Sequence, residues 1–538
     1  RLGKLKVVRR RLLQRYEHQP FVSLLAGLYS CRWKRYQRQK TEPGQCCCKL
    51  KEHLFFMVVL VAFCLSLIFL YFWQEAKNDY NDFDWISYLK VGYWFLWSTV
   101  VLVVAAVLFG YIALLLVLAV CLLSEGQQLH LHWSHKIGTV IVLVVSLGAL
   151  VALSHLWKGE WDTVRLSFQV TAPYLHIAAI AAMSVLSWPV ALYFMRMSNA
   201  GKFCISLLYL ALWVMGRPSL SPVPVSRCGF RVLILSPYLA VLLFLYLIPL
   251  GMYSPCIREE GTLGPKPKLI GHRGSPTLAP ENTLLSFLKT IESGGDGLES
   301  DVTLSYDGVP FLMHDSTLKR TTNVKDVFPN RTNENAAMFT WDALEQLNAG
   351  MWFTKNQPFS SMGSLSDEDK QRAANQSICK LAELLRLASR ANKTVIFDLY
   401  MPPGDHPWKC WYSRRFHRIL TLERYQALTH SLYFLPVDLM ADEMRLYVQS
   451  VAPGFQQTYG MKAPVKDLKE NNIVKLNLPY SDMSQEDIRM YADANITTNL
   501  YVVSEPWLFS LAWCAGAHSV TTNVVQSLKR MDRPMFLM

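Results

Sequence analysis

Residues 268–304 read KLIGHRGSPTLAPENTLLSFLKTIESGGDGLESDVTL. The stretch opens on a short apolar run at 268–271 and passes through a turn rich in Gly and Pro. It continues as a helical pattern over 281–293 and closes on a β-rich run at 297–304. Strand, helix and strand in so short a span make a βαβ unit, which implies a parallel sheet. The alternation persists, with further strands expected at 394–399, 431–434, 454–458, 473–477, 499–503 and 519–522, and helices at 381–391, 441–451, 485–494 and 506–515. Eight strand–helix alternations fit an α/β TIM barrel, (β/α)8, over residues 265–538. Such barrels keep their active sites at the C-terminal ends of the strands.

The chain before this barrel has a different character. Up to residue 260, Lys and Arg outnumber Asp and Glu by 25 to 12, whereas after it each class numbers 29, so the whole formal charge of +13 lies in the first part. The positive charge flanks apolar runs, which suits anionic lipid headgroups and topology signals and argues against nucleic acid as a partner. A bilayer crossing takes about 20 apolar residues. Five stretches qualify, at 54–73, 98–123, 137–157, 172–195 and 230–252. The first, and the second from residue 100 onward, contain no charged residue. The expected organisation is a basic N-terminal segment (1–53), an α-helical multi-span transmembrane domain (54–253) and the barrel (265–538). Residues 203–215 are apolar but short and lead into Pro218, Pro222 and Pro224, so they read as a re-entrant or interfacial piece.

Orientation follows from the basic residues. The first 53 residues carry 14 Lys and Arg against three acids, placing the N-terminus in the cytoplasm. Five spans then put the barrel on the extracellular or lumenal side of the plasma membrane or an endomembrane; a sixth span at 203–215 would invert this. Four glycosylation sequons, at Asn330, Asn375, Asn392 and Asn495, all lie after residue 260. Of the 12 Cys, Cys46, Cys47 and Cys48 form a juxtamembrane cluster that is either palmitoylated or left as thiols. In the second half, Cys256, Cys379, Cys410 and Cys514 allow two disulfides in three connectivities.

Three pieces of chain carry the chemistry to one barrel end: His272 and Arg273 after the first strand, Glu299 and Asp301 on the second, and His314 after a hairpin through Asp307 and Gly308. Glu299 and Asp301 are two apart on a strand and share a face. Two inward carboxylates repel unless a cation lies between them, and Mg²⁺ or Ca²⁺ takes oxygen ligands. A solvated strand with alternating acids is the plainer alternative, set aside because Leu298, Ser300 and Val302 make a poor core face. Asp398, alone in an apolar strand, is either a third metal ligand or the acid of a buried ion pair with an Arg. Arg273 offers a planar fork suited to phosphate. Of His272 and His314, one can take a proton from an attacking hydroxyl while the other protonates the leaving alkoxide.

The runs GHRG…APENT (271–283), LESDV (298–302), DGVPFLMHD (307–315), LKRTTN (318–323) and LNAGMWF (347–353) together closely resemble the glycerophosphodiester phosphodiesterases. The resemblance spans about 268–523. The multi-span anchor resembles the mammalian six-transmembrane branch of that family. It implies a TIM barrel, a divalent metal cation and hydrolysis of glycerophosphodiesters to an alcohol and glycerol phosphate. It also implies His272 and His314 as the acid–base pair and Arg273 as the phosphate ligand. Glu299, Asp301 and Asp398 are implied as metal ligands, with Glu281 in a supporting role. For the branch, the implied substrates are glycerophosphoinositol, glycerophosphocholine or GPI-anchor-type lipids at a membrane. Three departures stand out. Asp398 and Tyr400 replace the usual Glu and basic residue, 202–227 reads as an insertion, and the branch's span after the barrel is not present by Met538. The first motivates an alternative reading as a catalytically weak barrel used for membrane signalling or binding. A transporter fits poorly, because the spans hold few ionisable residues beyond His155 and His176.

Overall fold

The computed structural model describes residues 19–31, 50–75, 94–124, 129–195, 239, 242–243, 245–247, 254–259, 261–408, 433–436, 455–482, 484–535 and 537. It divides into two units: an N-terminal helical unit, mainly residues 1–253, and a second unit, mainly 254–538.

In the helical unit, apolar runs long enough to cross a bilayer become helices Leu50–Glu75, Trp94–Ser124, Trp133–Leu156 and Glu160–Met195. Each contains a stretch long and apolar enough to span, so four candidate spans lie among the described residues. The last helix begins at Glu160 rather than at 172, because Glu160 and Asp162 occupy its first turn, where the helix dipole favours acids. Val107, Val117 and Val144 are 63%, 58% and 61% exposed, a cost in water that disappears in lipid. Leu25, Ala26 and Tyr29, from helix Gln19–Ser30, join Val59, Ala62, Ile112 and Leu115 in the unit's core. The expected piece at 203–215 lies outside the described residues, as does most of 230–252.

The second unit is a closed barrel. Its strands are β1 (Lys268–Gly271), β2 (Gly297–Leu304), β3 (Pro310–Leu312), β4 (Thr394–Leu399), β5 (Tyr433–Pro436), β6 (Phe455–Tyr459), β7 (Lys475–Pro479), β8 (Thr497–Tyr501) and β9 (Ser519–Thr522). They run in the order β1-β9-β8-β7-β6-β5-β4-β2-β3, and a parallel β1–β2 pairing closes the ring. Among the described strands only β3 is antiparallel, folding back along β2 as a hairpin. The strands of a closed parallel barrel are covered on both faces, and every residue of β2 is buried. Leu298, Val302 and Leu304 pack outward with Val395, Phe397, Leu381 and Leu384. The expectation that Leu298 and Val302 make a poor core face is therefore wrong: they face the helices, and the acids beside them face the barrel.

Several boundaries differ from expectation by about two residues, for local reasons. Asn472 takes a left-handed φ of +53°, and Ile473 N donates to Leu468 O, so Ile473 closes a helix and β7 starts at Lys475. Asn495, also left-handed at φ +62°, ends the preceding helix so that β8 starts at Thr497, two residues ahead of the expected 499. The first barrel helix runs from Leu284 to Glu292, not from 281, because Thr283 caps it, its side chain accepting from Ser286 N. That cap leaves Glu281 and Asn282 on the loop above β1. The expected helix at 441–451 lies outside the described residues. A disulfide joins Cys256 to Cys514, whereas Cys379 is a buried free thiol and Cys410 lies outside the described residues. Of the two disulfides that these four Cys allow, the described residues contain one.

Candidate active site

Past Gly271 the chain turns sharply over the C-terminal mouth of the barrel. A Cβ on Gly271 would lie 2.6 Å from Gly274 O and from the Thr290 side chain, and Gly274 takes φ +88°. Arg273 between them adopts φ +53°, a strained conformation for a side-chain-bearing residue. The surroundings hold it there. Its N–H donates to Glu299 Oε2 at 2.9 Å, and its carbonyl accepts from Asn282 N and Ser286 Oγ, each at 3.0 Å.

His272 is buried in this turn. Its Nδ1 pairs with Asn523 Oδ1 at 2.7 Å, which makes Nδ1 the protonated nitrogen. Its Nε2 lies 4.0 Å from Glu299 Oε2. Burial, reinforced by the neighbouring Arg273 charge, pushes the imidazole down to about 3. It is therefore neutral near pH 7, with an Nε2 lone pair available to accept a proton.

Asp301 and Asp398 stand opposite each other in the β2–β4 register. Asp301 Oδ2 accepts from Asn282 Nδ2 at 2.7 Å and lies 3.2 Å from Arg273 Nε. Burial, then repulsion from Asp301, holds Glu299 well above the usual carboxylate range. Asp398 reaches the solvent of the mouth, yet desolvation and the nearby Asp301 push it up to about 6, with Tyr400 as its hydrogen-bond partner. His314, one-third exposed, pairs through Nδ1 with Asp315 Oδ1 at 2.9 Å. The Tyr400 ring meets the His314 ring edge-on at 5.5 Å. Arg273 Nη1 donates to Glu281 Oε1 at 3.1 Å. Against the effect of burial, Arg320 and Arg273 hold Glu281 down at about 2.

His272, Arg273, Glu281, Glu299, Asp301, His314 and Asp398 thus meet at one barrel end. The sequon residues Asn330, Asn375, Asn392 and Asn495 lie elsewhere, all exposed. Sequence reasoning passed over Asn282, Asp315, Arg320 and Asn523. Each sits inside, or at the end of, a motif already singled out, and Asn523 follows β9 at the end where barrel catalysis occurs.

A divalent cation can be tested against these groups. The donors are carboxylate oxygens, as a hard cation requires. Asp398 and Glu299 are both raised, first by burial and then by the neighbouring Asp301 carboxylate. Arg273 Nε is buried without an aligned hydrogen bond, although it lies among the acids. The set fits a hard cation in charge and chemistry. Among the described residues, though, no three His, Cys, Asp or Glu side chains are already gathered as a metal cage. Arg273 occupies part of that role by contacting Asp301.

Comparisons with known proteins place the sequence in a family. A sequence model of the Glycerophosphoryl diester phosphodiesterase family matches residues 272–530. The chicken protein named glycerophosphodiester phosphodiesterase domain-containing protein 5 is 44% identical over 99% of this chain and 82% of its own length. The mouse protein named glycerophosphoinositol inositolphosphodiesterase GDPD2 is 40% identical over 95% of this chain and 87% of its own. Among solved structures, a phosphodiesterase from Oleispira antarctica covers 49% of this chain and 95% of its own at 21% identity, with a TM-score of 0.39. With a relative this similar along almost its whole length, the chain is a member of the glycerophosphodiester phosphodiesterase family, in the branch of membrane-helix-bearing domain-containing proteins.

Proposed function

We propose that this chain is a membrane-anchored, divalent-metal-dependent hydrolase of glycerophosphodiesters, working on the extracellular or lumenal side. The observation that carries the reading is the contrast between its two histidines. His272 is buried, neutral and hydrogen-bonded to an amide. His314 is partly open and bonded to a carboxylate. Their partners suit opposite duties. His272 Nε2 takes the proton of the attacking hydroxyl, which is either the neighbouring hydroxyl of the glycerol or water. His314, backed by an anion, delivers a proton to the departing alkoxide. Arg273 binds the phosphate oxygens through its fork. Glu299, Asp301 and Asp398 would hold the cation, Mg²⁺ or Ca²⁺, which supplies charge stabilisation for the phosphoryl oxygens. Glu281 steadies Arg273.

The relative named as a glycerophosphoinositol inositolphosphodiesterase makes glycerophosphoinositol the first substrate to try; glycerophosphocholine and GPI-type lipids follow. The outward orientation is supported by the basic N-terminus, by four exposed sequon asparagines and by the Cys256–Cys514 disulfide, since disulfides persist in oxidising compartments. A second reading, a binding barrel with weak turnover, is favoured by Arg273 lying on Asp301 and by Tyr400 next to Asp398. Purified full-length protein assayed on a panel of glycerophosphodiesters, with EDTA and with added Mg²⁺ or Ca²⁺, separates the two. The hydrolase reading expects turnover abolished by chelation and restored by one cation. Chelator-insensitive background on every substrate, unchanged in His272→Ala, favours the binding barrel.

A further inference from the structure

A chain of alternating charge, buried at Glu281 and Arg320 and part-buried at Asp315 and His314, leads away from Arg273. Glu281, which accepts from Arg273, also receives the fork of Arg320: Nη1 on Oε2 and Nη2 on Oε1, both at 2.7 Å. The other edge of the same guanidinium grips Asp315, Nε on Oδ2 at 2.6 Å and Nη2 on Oδ1 at 2.8 Å. Asp315 Oδ1 then accepts from His314 Nδ1. The Arg320 side chain is 8% exposed and that of Glu281 only 3%. Trp352, from the LNAGMWF run, places its ring 5.9 Å from Arg320 Cζ.

Stability is a poor explanation for this arrangement. Desolvating two guanidinium groups and two carboxylates is costly, and apolar replacements of buried ion pairs are often neutral or stabilising. What doubled forks supply is direction. A planar guanidinium bonded along two edges leaves each carboxylate a single orientation. A carboxylate so held presents one oxygen to His314 Nδ1 and fixes the proton there. All proton exchange then falls to His314 Nε2.

We propose that Arg320 and Asp315 are positioning residues. Through Glu281 on one side and His314 on the other, they lock the phosphate-binding Arg273 and the proton-transferring imidazole into one rigid frame. This rests on the roles assigned above to Arg273 and His314. The tests run on the full-length protein in detergent with two readouts. The first is the His314 tautomer, read by nitrogen-15 NMR of histidine-labelled protein and assigned by the signal lost in His314→Gln. The frame expects Nδ1–H in the wild type and a shift towards Nε2–H in Asp315→Ala. The second is steady-state kinetics of Arg320→Lys and Asp315→Asn, which retain bulk and some polarity in case larger truncations fail to fold. A misplacement of about 1 Å can cost about 100-fold. A fall in kcat of that order is therefore expected, with KM nearly unchanged and a two-state thermal transition retained. Arg320→Lys keeps the charge but replaces the planar fork by a single ammonium, which cannot hold each carboxylate through paired bonds, so it should not rescue. A His314 tautomer indifferent to Asp315→Ala, or wild-type kcat in Arg320→Lys, overturns the frame. If the wild type cleaves no glycerophosphodiester, the assigned function fails, while the tautomer measurement still decides the frame.

Discussion

His272 shows how one side chain acquires a role from its neighbours. Asn523 sets its tautomer, and burial keeps it neutral. Its replacement by Ala should lower kcat/KM by about 10²–10⁴-fold, the usual worth of a general base. Asn523→Ala should cause a smaller loss in the same assay, because the imidazole remains but its Nδ1 proton loses its acceptor. With burial and the Arg273 charge holding the His272 imidazole down to about 3, an acidic limb of activity is expected from another group. Asp398, pushed up to about 6, is the natural source. A raised carboxyl is protonated below its pKa, so protons compete with a cation there as pH falls through 6. Metal affinity measured at pH 5 should be weaker than at pH 7, and excess metal should move the acidic limb of the rate profile to lower pH. A limb that ignores metal concentration would count against Asp398 as a ligand.

Between residues and the whole chain, the elements owe their placing to caps and to one covalent tie. Thr283 starts the first barrel helix late, and this puts Glu281 and Asn282 over the mouth instead of on a helix face. Left-handed asparagines end the helices before β4, β7 and β8, at residues 392, 472 and 495. Asn tolerates that conformation, so two of the four sequon asparagines already have a backbone reason to be there. Cys256, just before β1, is tied to Cys514 in the helix Pro506–Ala515 across 258 residues of chain. Closing so long a loop restricts the unfolded chain strongly. Cys256→Ser together with Cys514→Ser should cost about 2–5 kcal/mol, read as a lower denaturant midpoint with activity retained below it. An unchanged midpoint would mean that the unfolded chain is not constrained by the bond.

At the scale of the whole molecule, the described residues hold four candidate spans and a TIM barrel on one chain. The proposed orientation is testable at Asn330 and Asn375, which are exposed and lack the left-handed backbone of the other two sequons. Glycans are expected on at least one of them in mammalian cells. Unmodified sites, combined with a barrel protected from external protease in intact cells, would invert the topology.

The sequence by itself determined the class of fold, the apolar runs and the motif residues of the site. Alternation of strands with helices, and unbroken hydrophobic length, are local signals that survive without knowledge of contacts. Glu299 and Asp301 could be placed on one face because strand periodicity is two. What only the tertiary structure decided is who meets whom. Nothing in the chain's order says that Asn523 would orient His272, 251 residues away. Nor does it say that Arg320 would bridge Glu281 and Asp315. The outward packing of Leu298 and Val302 was misjudged for the same reason: a parallel barrel strand is buried on both faces, and its sequence does not announce which face is which. Proton positions depend on partners brought together by barrel closure, and so the contrast between the partners of His272 and His314, on which their proposed division of labour rests, appears only when the ring is closed.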